Sequence, residues 1–396
     1  MVSFSRYLRE FGWEPLVLSA SAIAYSACND AQLATLPARL KLKRAFALDT
    51  KRHLGILGRY PEALALPDRW ISWCLFAVPV GLWMIRKYKP SVILSTYPIP
   101  TALLIGLVLH RLTGLPWVAD FRDPMLQDDY PPTHAQRQVY RWLEREAIHR
   151  CQRAIFTTCG TQEFYRQRYP ECVHEKFVVI ENGYDEDAFR GLHPSVHAER
   201  PGDAKLLTLV HSGALYAADR DPSAFFKAIS LLKARRKVDS FSLRIVLRGT
   251  GDSPYFQSMA DKYDVADIVK VERTVPYYSA LQEMLDADAL LVFQGATVNT
   301  QVPAKIYEYF RARKPILGLV DPAGETARVL AGAGFRHLAA LNDATAICSI
   351  LDDFLMQVRR GTADVAGDEM IAGASRKHRA AELAQVFEHV RMESNG

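Results

Sequence analysis

Short apolar runs alternate with helical patterns along the whole chain, and that rhythm leaves few folds open. In the first half, residues 16–18, 92–96, 117–120, 153–157 and 177–181 read as strands, with helical patterns at 101–112, 136–151 and 162–169. In the second half, 206–211, 243–247, 268–272, 289–293 and 315–320 read as strands, and 223–236, 255–263, 278–286, 304–311 and 325–333 as helices. Strands separated by helix-length connections must cross over and run parallel, so the expected class is α/β with parallel sheets. A polar stretch at 191–205 interrupts the rhythm. The expectation is therefore two Rossmann-like, doubly wound domains in series, at 1–190 and 206–372, joined by a linker at 191–205. A helix near 375–392, within a terminal segment 373–396, is expected to pack back across them. Such halves take ligands at the carboxyl ends of their strands and in a cleft between them.

Composition narrows the partners. The 396 residues are 49% apolar and 23% charged, which excludes disorder, collagen and a coiled coil. Lys and Arg number 49 against 44 Asp and Glu, a net charge of +5. That is too mild to argue for nucleic acid, yet compatible with an anionic substrate or an anionic membrane surface. Cys28, Cys74, Cys151, Cys159, Cys172 and Cys348 form no CxxC pair and no ligand-like spacing with His, so reduced thiols of a cytosolic protein are expected and a metal site is not. The first dozen residues are charged and amphipathic and do not read as a secretory signal. Residues 70–85 carry no charge over sixteen positions, fewer than the roughly 20 needed to span a bilayer, and contain Pro79 and Gly81. Two readings of this region stay open. One is core helices around a strand; the other is a membrane-surface patch of Trp70, Trp73, Phe76 and Trp83 flanked by Arg69, Arg86, Lys87 and Lys89.

Four stretches carry candidate chemistry. After the strand at 243–247, Gly249-Thr250-Gly251 is either a tight turn or a place where backbone approaches a ligand, and lacks the third glycine of a dinucleotide motif. His211-Ser212-Gly213 also leaves a strand, and Arg220 before Asp221-Pro222 either reaches a phosphate or pairs with Asp219 or Asp221. A polar turn ending in Thr300 and Gln301 leads to Pro303, expected in a first helical turn whose free N–H groups favour an anion. Lys305 in that turn would add a cation, and Glu308 one turn on would accept hydrogen bonds from a ribose diol; an incidental Lys and Glu on a helix is the other reading. Asp120, Arg122 and Asp123 follow the strand at 117–120, as a cleft wall or as a structural ion cluster.

Taken in order, these stretches resemble the retaining glycosyltransferases of the GT-B fold, in the family-4 (bacterial group 1) set of sugar transferases. The resemblance rests on Val118 through Pro124, on Ile180-Glu181-Asn182-Gly183-Tyr184-Asp185 with Phe189, and on His211-Ser212-Gly213 with Arg220-Asp221-Pro222. It continues through Pro303-x-Lys305-x-x-Glu308-Tyr309 and Lys314-Pro315-Ile316-Leu317, and runs to about Gly334. It implies a nucleotide-diphosphate sugar on the C-terminal domain, with Glu308 on the ribose, Arg220 and Lys305 on the diphosphate, and Gly213, Gly249, Gly251, Thr300 and Pro303 around the nucleotide. It implies an acceptor on the N-terminal domain, with Arg122 and Asp123 in the catalytic set. Transfer would proceed by front-face displacement with retention, without metal or cofactor. The product would be a surface polysaccharide or similar glycan, the acceptor a glycan or a lipid-linked one, and the enzyme cytoplasmic or peripheral at the inner face of the membrane.

The chain departs from the family pattern in places. The family's paired Arg falls at Leu215, the first Glu of its Glu-x7-Glu pattern at Thr300, and its acceptor-loop His at Arg122. Relatives also place a strand and a glycine-rich loop before the helix corresponding to 3–11, so the resemblance implies a missing first strand and a start codon upstream. Two other readings stay open: a catalytically silent nucleotide-binding scaffold of the same fold, and a sugar-nucleotide epimerase.

Overall fold

A computed structural model describes residues 2–26, 36–37, 39–55, 60–195, 206–216 and 219–395. Residues 196–205 of the expected linker, and Cys28, lie outside the described residues. The chain divides into two compact units, Met1–Glu181 with Arg376–Gly396, and Asn182–Ser375.

The second unit is built on a six-stranded parallel sheet. Its strands are β7 (Leu207–Ser212), β8 (Leu243–Arg248), β9 (Val269–Glu272), β10 (Ala289–Gln294), β11 (Ile316–Val320) and β12 (Leu338–Ala339), in the order β12-β11-β10-β7-β8-β9. Successive side chains leave a strand on opposite faces, so a strand covered on both sides must be apolar throughout. β10 and β11 are buried at every position. Leu209, Ile245, Leu247, Leu291 and Leu319 meet apolar side chains of three helices, Ser223–Ala234, Ser253–Lys262 and Ala344–Arg360. Val210, Val246, Leu290, Val292 and Ile316 meet those of Tyr277–Asp286, Lys305–Ala312 and Glu325–Gly332 on the other face. The doubly wound expectation holds for this unit.

The first unit carries a four-stranded parallel sheet, β3 (Ile93–Tyr97), β4 (Trp117–Phe121), β5 (Arg153–Phe156) and β6 (Phe177–Val179), in that order. Trp117, Ala119, Phe121 and Phe156 face a core completed by helices Pro100–Thr113, His134–Arg150 and Cys159–Arg168. Val118, Ile155 and Ile180 face Leu8 and the C-terminal helix Arg376–Asn395, through Leu383, Val386, Phe387 and Val390. The one charge buried in the first of these cores is satisfied: Glu144 accepts the hydroxyls of Tyr165 and Tyr169 at 2.7 and 2.9 Å and a guanidinium N–H of Arg168 at 2.9 Å.

β1 (Leu16–Ala20) and β2 (Lys41–Ala45) form a separate parallel pair, so the described strands of this unit lie in two sheets. Beside that pair, residues 70–85 resolve as the helix Ser72–Tyr88, with Pro79 inside it. Trp73, Ala77, Gly81 and Met84 face the core, but Leu75 is 74% exposed and Phe76 and Trp83 also reach solvent. The expectation of a core helix therefore holds for one side of it only. Among the described residues no helix is long and apolar enough to cross a membrane.

Because Phe387 is buried in the core shared by β4, β5 and the C-terminal helix, Phe387→Ala is expected to cost about 3–5 kcal/mol of stability. Urea unfolding followed by tryptophan fluorescence checks this; an unchanged midpoint would mean that the helix is not part of that core.

Candidate functional site

In the second unit the carboxyl ends of β7 and β8 and the start of the helix Lys305–Ala312 come together. The chain leaves β7 through Gly213 at φ +127°, a conformation that side chains rarely adopt. A Cβ there would lie 2.6 Å from Lys305 Nζ, so the lysine rests directly over the glycine backbone. The Gly213 N–H donates to the Arg248 carbonyl at 2.8 Å, and the Leu215 N–H to that of Thr250 at 3.1 Å, which ties the two strand-end loops together. Gly249 and Gly251 turn the β8 loop with φ of +69° and +92°. Arg248 anchors this loop by a two-pronged pair with Glu283 at 2.9 and 2.6 Å and a bond to the Arg273 carbonyl at 2.8 Å.

His211, 1% exposed, lies beneath Lys305. Its Nδ1 lies 2.9 Å from the Leu291 carbonyl and so carries the proton, leaving Nε2 as an acceptor 3.4 Å from Lys305 Nζ. Burial first, and the Lys305 charge second, push this imidazole well below its ordinary pKa, so it is neutral. Burial, and then the nearby Arg220 guanidinium, bring the Lys305 ammonium down to about 7, against a smaller opposing pull from Glu308. Arg220 pairs with Asp219 at 3.4 Å and donates to the Ala214 carbonyl at 3.4 Å. Glu308 accepts the Tyr277 hydroxyl at 2.7 Å.

The structure thus gathers Gly213, Arg220, Lys305 and Glu308, and it links Gly249 and Gly251 to them through the loop hydrogen bonds. Thr300 and Pro303 lie in the segment leading to the helix. One expectation is corrected here. The helix begins at Lys305, so Pro303 precedes it and does not sit in its first turn. The Ile306 and Tyr307 N–H groups donate to the Pro303 and Ala304 carbonyls at 3.1 and 3.3 Å, in a tight turn that consumes amides expected to be free. Those two N–H groups are therefore taken, and the cationic side chains near this point are Lys305 and Arg220. The sequence reading quoted His211 only within a strand-end motif and gave its side chain no role, and it passed over Tyr277, which nothing local marked.

In the first unit, Arg122 and Asp123 follow β4 as expected. Asp120 is buried, accepts the Thr96 hydroxyl at 3.1 Å and pairs with Arg122 at 3.4 Å. The Arg122 carbonyl accepts the Thr157 hydroxyl at 3.0 Å. Burial raises the Asp123 carboxyl; Arg122 opposes this and Asp120 adds to it. Among the described residues, the side chains close enough to share a metal ion are His149, Glu171 and Cys172, on this unit and apart from the groups above.

Residues 2–183 match the glycosyl transferase 4-like domain. HepE of Anabaena, in complex with UDP and glucose, has a TM-score of 0.65 at 14% identity, over 98% of this chain and 94% of its own. WaaG, a glycosyltransferase involved in lipopolysaccharide biosynthesis, has a TM-score of 0.61 at 14% identity, over 97% and 94%. A UDP-N-acetylglucosamine 2-epimerase has a TM-score of 0.53 at 13% identity, over 98% and 90%. No curated protein sequence matches. Two parallel, helix-covered sheet units, with charged groups at strand ends, define the GT-B class of glycosyltransferase fold.

Gly213 and Gly251 both hold positive φ, but a Cβ at Gly251 meets nothing within 4 Å. Gly251→Ala should cost about 1 kcal/mol from backbone strain alone, whereas Gly213→Ala must also displace Lys305 and should cost more. Equal shifts of the two variants in chemical denaturation would contradict the close packing of Lys305 on Gly213.

Proposed function

We propose that this chain is a retaining, metal-independent glycosyltransferase that moves a sugar from a nucleotide-diphosphate donor to a glycan or lipid-linked acceptor, in surface-polysaccharide assembly. The observation that carries the reading is the meeting of Arg220, Lys305 and Glu308 at the strand ends of a GT-B unit. Two cations are what a diphosphate needs, and a carboxylate is what a ribose diol needs. Glu308, steadied by the Tyr277 hydroxyl, takes the ribose hydroxyls. Arg220 and Lys305 hold the diphosphate and stabilise the negative charge that grows on it as the glycosidic bond to the sugar lengthens. Fixed charges aimed at a developing charge usually lower the barrier of such a reaction more than any other effect. The acceptor hydroxyl attacks from the same face that the nucleotide leaves, which preserves the anomeric configuration. Gly213, Gly249 and Gly251 let backbone approach the nucleotide, with Thr300 and Pro303 at its rim, while Arg122 and Asp123 serve the acceptor side.

Contact with the inner face of a membrane is supported by one surface of the first unit. Lys43 and Lys87 lie 5.3 and 4.8 Å from the Trp83 ring centre and Lys41 lies 5.2 Å from that of Tyr88, beside exposed Leu75 and Phe76. Cations set among aromatic and apolar side chains suit an anionic lipid surface, and hence a lipid-linked acceptor.

Incubation with UDP-, GDP- and ADP-sugars and candidate acceptors should release free nucleotide from one of these donors, with proton NMR of the product showing the donor's anomeric configuration. Glu308→Ala should raise the donor KM about 10- to 100-fold, the worth of a hydrogen bond to a charged group. An inverted product would contradict retention. The epimerase reading, which the fold shared with the 2-epimerase favours, instead predicts interconversion of the donor sugar without acceptor. For the membrane surface, Lys43→Glu with Lys87→Glu should reduce sedimentation with anionic phosphatidylglycerol vesicles several-fold; equal sedimentation would contradict that placement.

A further inference from the structure

Lys305 is partly buried in surroundings that do not neutralise it. From β7, the His211 ring presents its acceptor nitrogen at 3.4 Å, and the Gly213 backbone lies beneath. From the loop after β7 comes a second cation, Arg220, and the carboxylate beside it, Asp219, is paired with that arginine. From its own helix comes Glu308, which already takes the Tyr277 hydroxyl of the neighbouring helix, while the Tyr309 hydroxyl accepts the Ser212 N–H at 3.2 Å. On β10, the Leu291 carbonyl holds His211 Nδ1, and the Phe293 ring meets the imidazole edge-on at 4.9 Å. Among the described residues no carboxylate lies within ion-pair distance of the Lys305 ammonium, which has the His211 ring nitrogen at 3.4 Å.

We infer that Lys305, backed by His211, takes up a proton from solution when a nucleotide diphosphate enters, so that donor binding and protonation are one coupled event. This rests on the reading of the site as a nucleotide-diphosphate site. Without nucleotide, burial and Arg220 disfavour the ammonium, which brings it down to about 7. A phosphate beside Nζ reverses both effects, since it supplies the missing opposite charge and accepts the N–H bonds. The lysine then returns towards its ordinary value near 10. His211 takes no part in the proton count, because its acceptor nitrogen already receives a Lys305 N–H; it is a positioning residue that aims the ammonium.

The sign follows from linkage. Above pH 7 the free site binds fewer protons than the occupied one, so affinity falls as pH rises, by up to about tenfold per unit. At about pH 8 most of the free lysine is neutral, and UDP should bind with net proton uptake.

Calorimetric titration of UDP into the full chain at about pH 8, in HEPES and in Tris, measures this uptake, because the two buffers release protons with different heats. Lys305→Arg, whose guanidinium stays charged, should bind UDP with uptake near zero. Lysine-selective carbon NMR of the unsubstituted protein gives the same reading without relying on a variant: one lysine titrates near pH 7 alone, and ceases to titrate there with UDP present. UDP binding without proton uptake, or with equal uptake by Lys305→Arg, would overturn this inference and leave the nucleotide site standing. No binding of UDP, GDP or ADP would overturn both.

Discussion

In a sheet whose strands all run parallel, no two neighbours can be joined by a tight turn, and every return must cross a face of the sheet. The helices making those returns bury both faces, and the polar loops are left at the strand ends. In the second unit this constraint sets β7, β8 and β10 side by side with their carboxyl ends on one edge. His211, Gly213, the 249–251 loop and Arg220 all issue from that edge. The candidate site is a consequence of the winding before it is a set of residues.

The same packing explains how Lys305 is held where its charge is disfavoured. Ile306, Tyr309 and Phe310 on its helix are buried in the core on one face of the sheet, which fixes the backbone that carries Lys305. Gly213 supplies the space, and the Arg248–Glu283 pair anchors the adjoining loop. A buried, uncompensated cation is costly, and such costs persist where the fold over-determines the geometry. In the first unit, by contrast, Asp120 and Arg122 neutralise one another, and the buried carboxyl of Asp123 is raised.

Much of this was legible in the sequence, for a physical reason. Strands buried on both faces are mostly apolar, so β4, β7, β10 and β11 announced themselves within a residue or two. β2, Lys-Leu-Lys-Arg-Ala, did not: it is mostly exposed, and its lysines guard an edge, so it carries neither alternation nor an apolar run. β12 is two residues long and below any periodic signal. The helix Ala344–Arg360 was within reach, since Ile347, Leu351, Phe354 and Leu355 recur at helical spacing. Within the site, Arg220 stood out as a charge beside a turn after a strand, and Lys305 and Glu308 as charges at the start of a helix that follows a polar turn. The His211–Lys305 and Tyr277–Glu308 contacts join positions 94 and 31 residues apart, and no local pattern encodes such pairings. The tight turn ahead of Lys305 escaped for a related reason, because Pro303 suits a first helical turn and the segment just before one equally well.

The central claim is that one cluster in the second unit receives a nucleotide diphosphate through side-chain cations and a carboxylate. A crystal structure of the chain grown with UDP tests it most directly. The account predicts phosphate oxygens within hydrogen-bond distance of Lys305 Nζ and the Arg220 guanidinium, and ribose hydroxyls on Glu308. Nucleotide density lodged elsewhere, with Lys305 still directed only at His211, would contradict it.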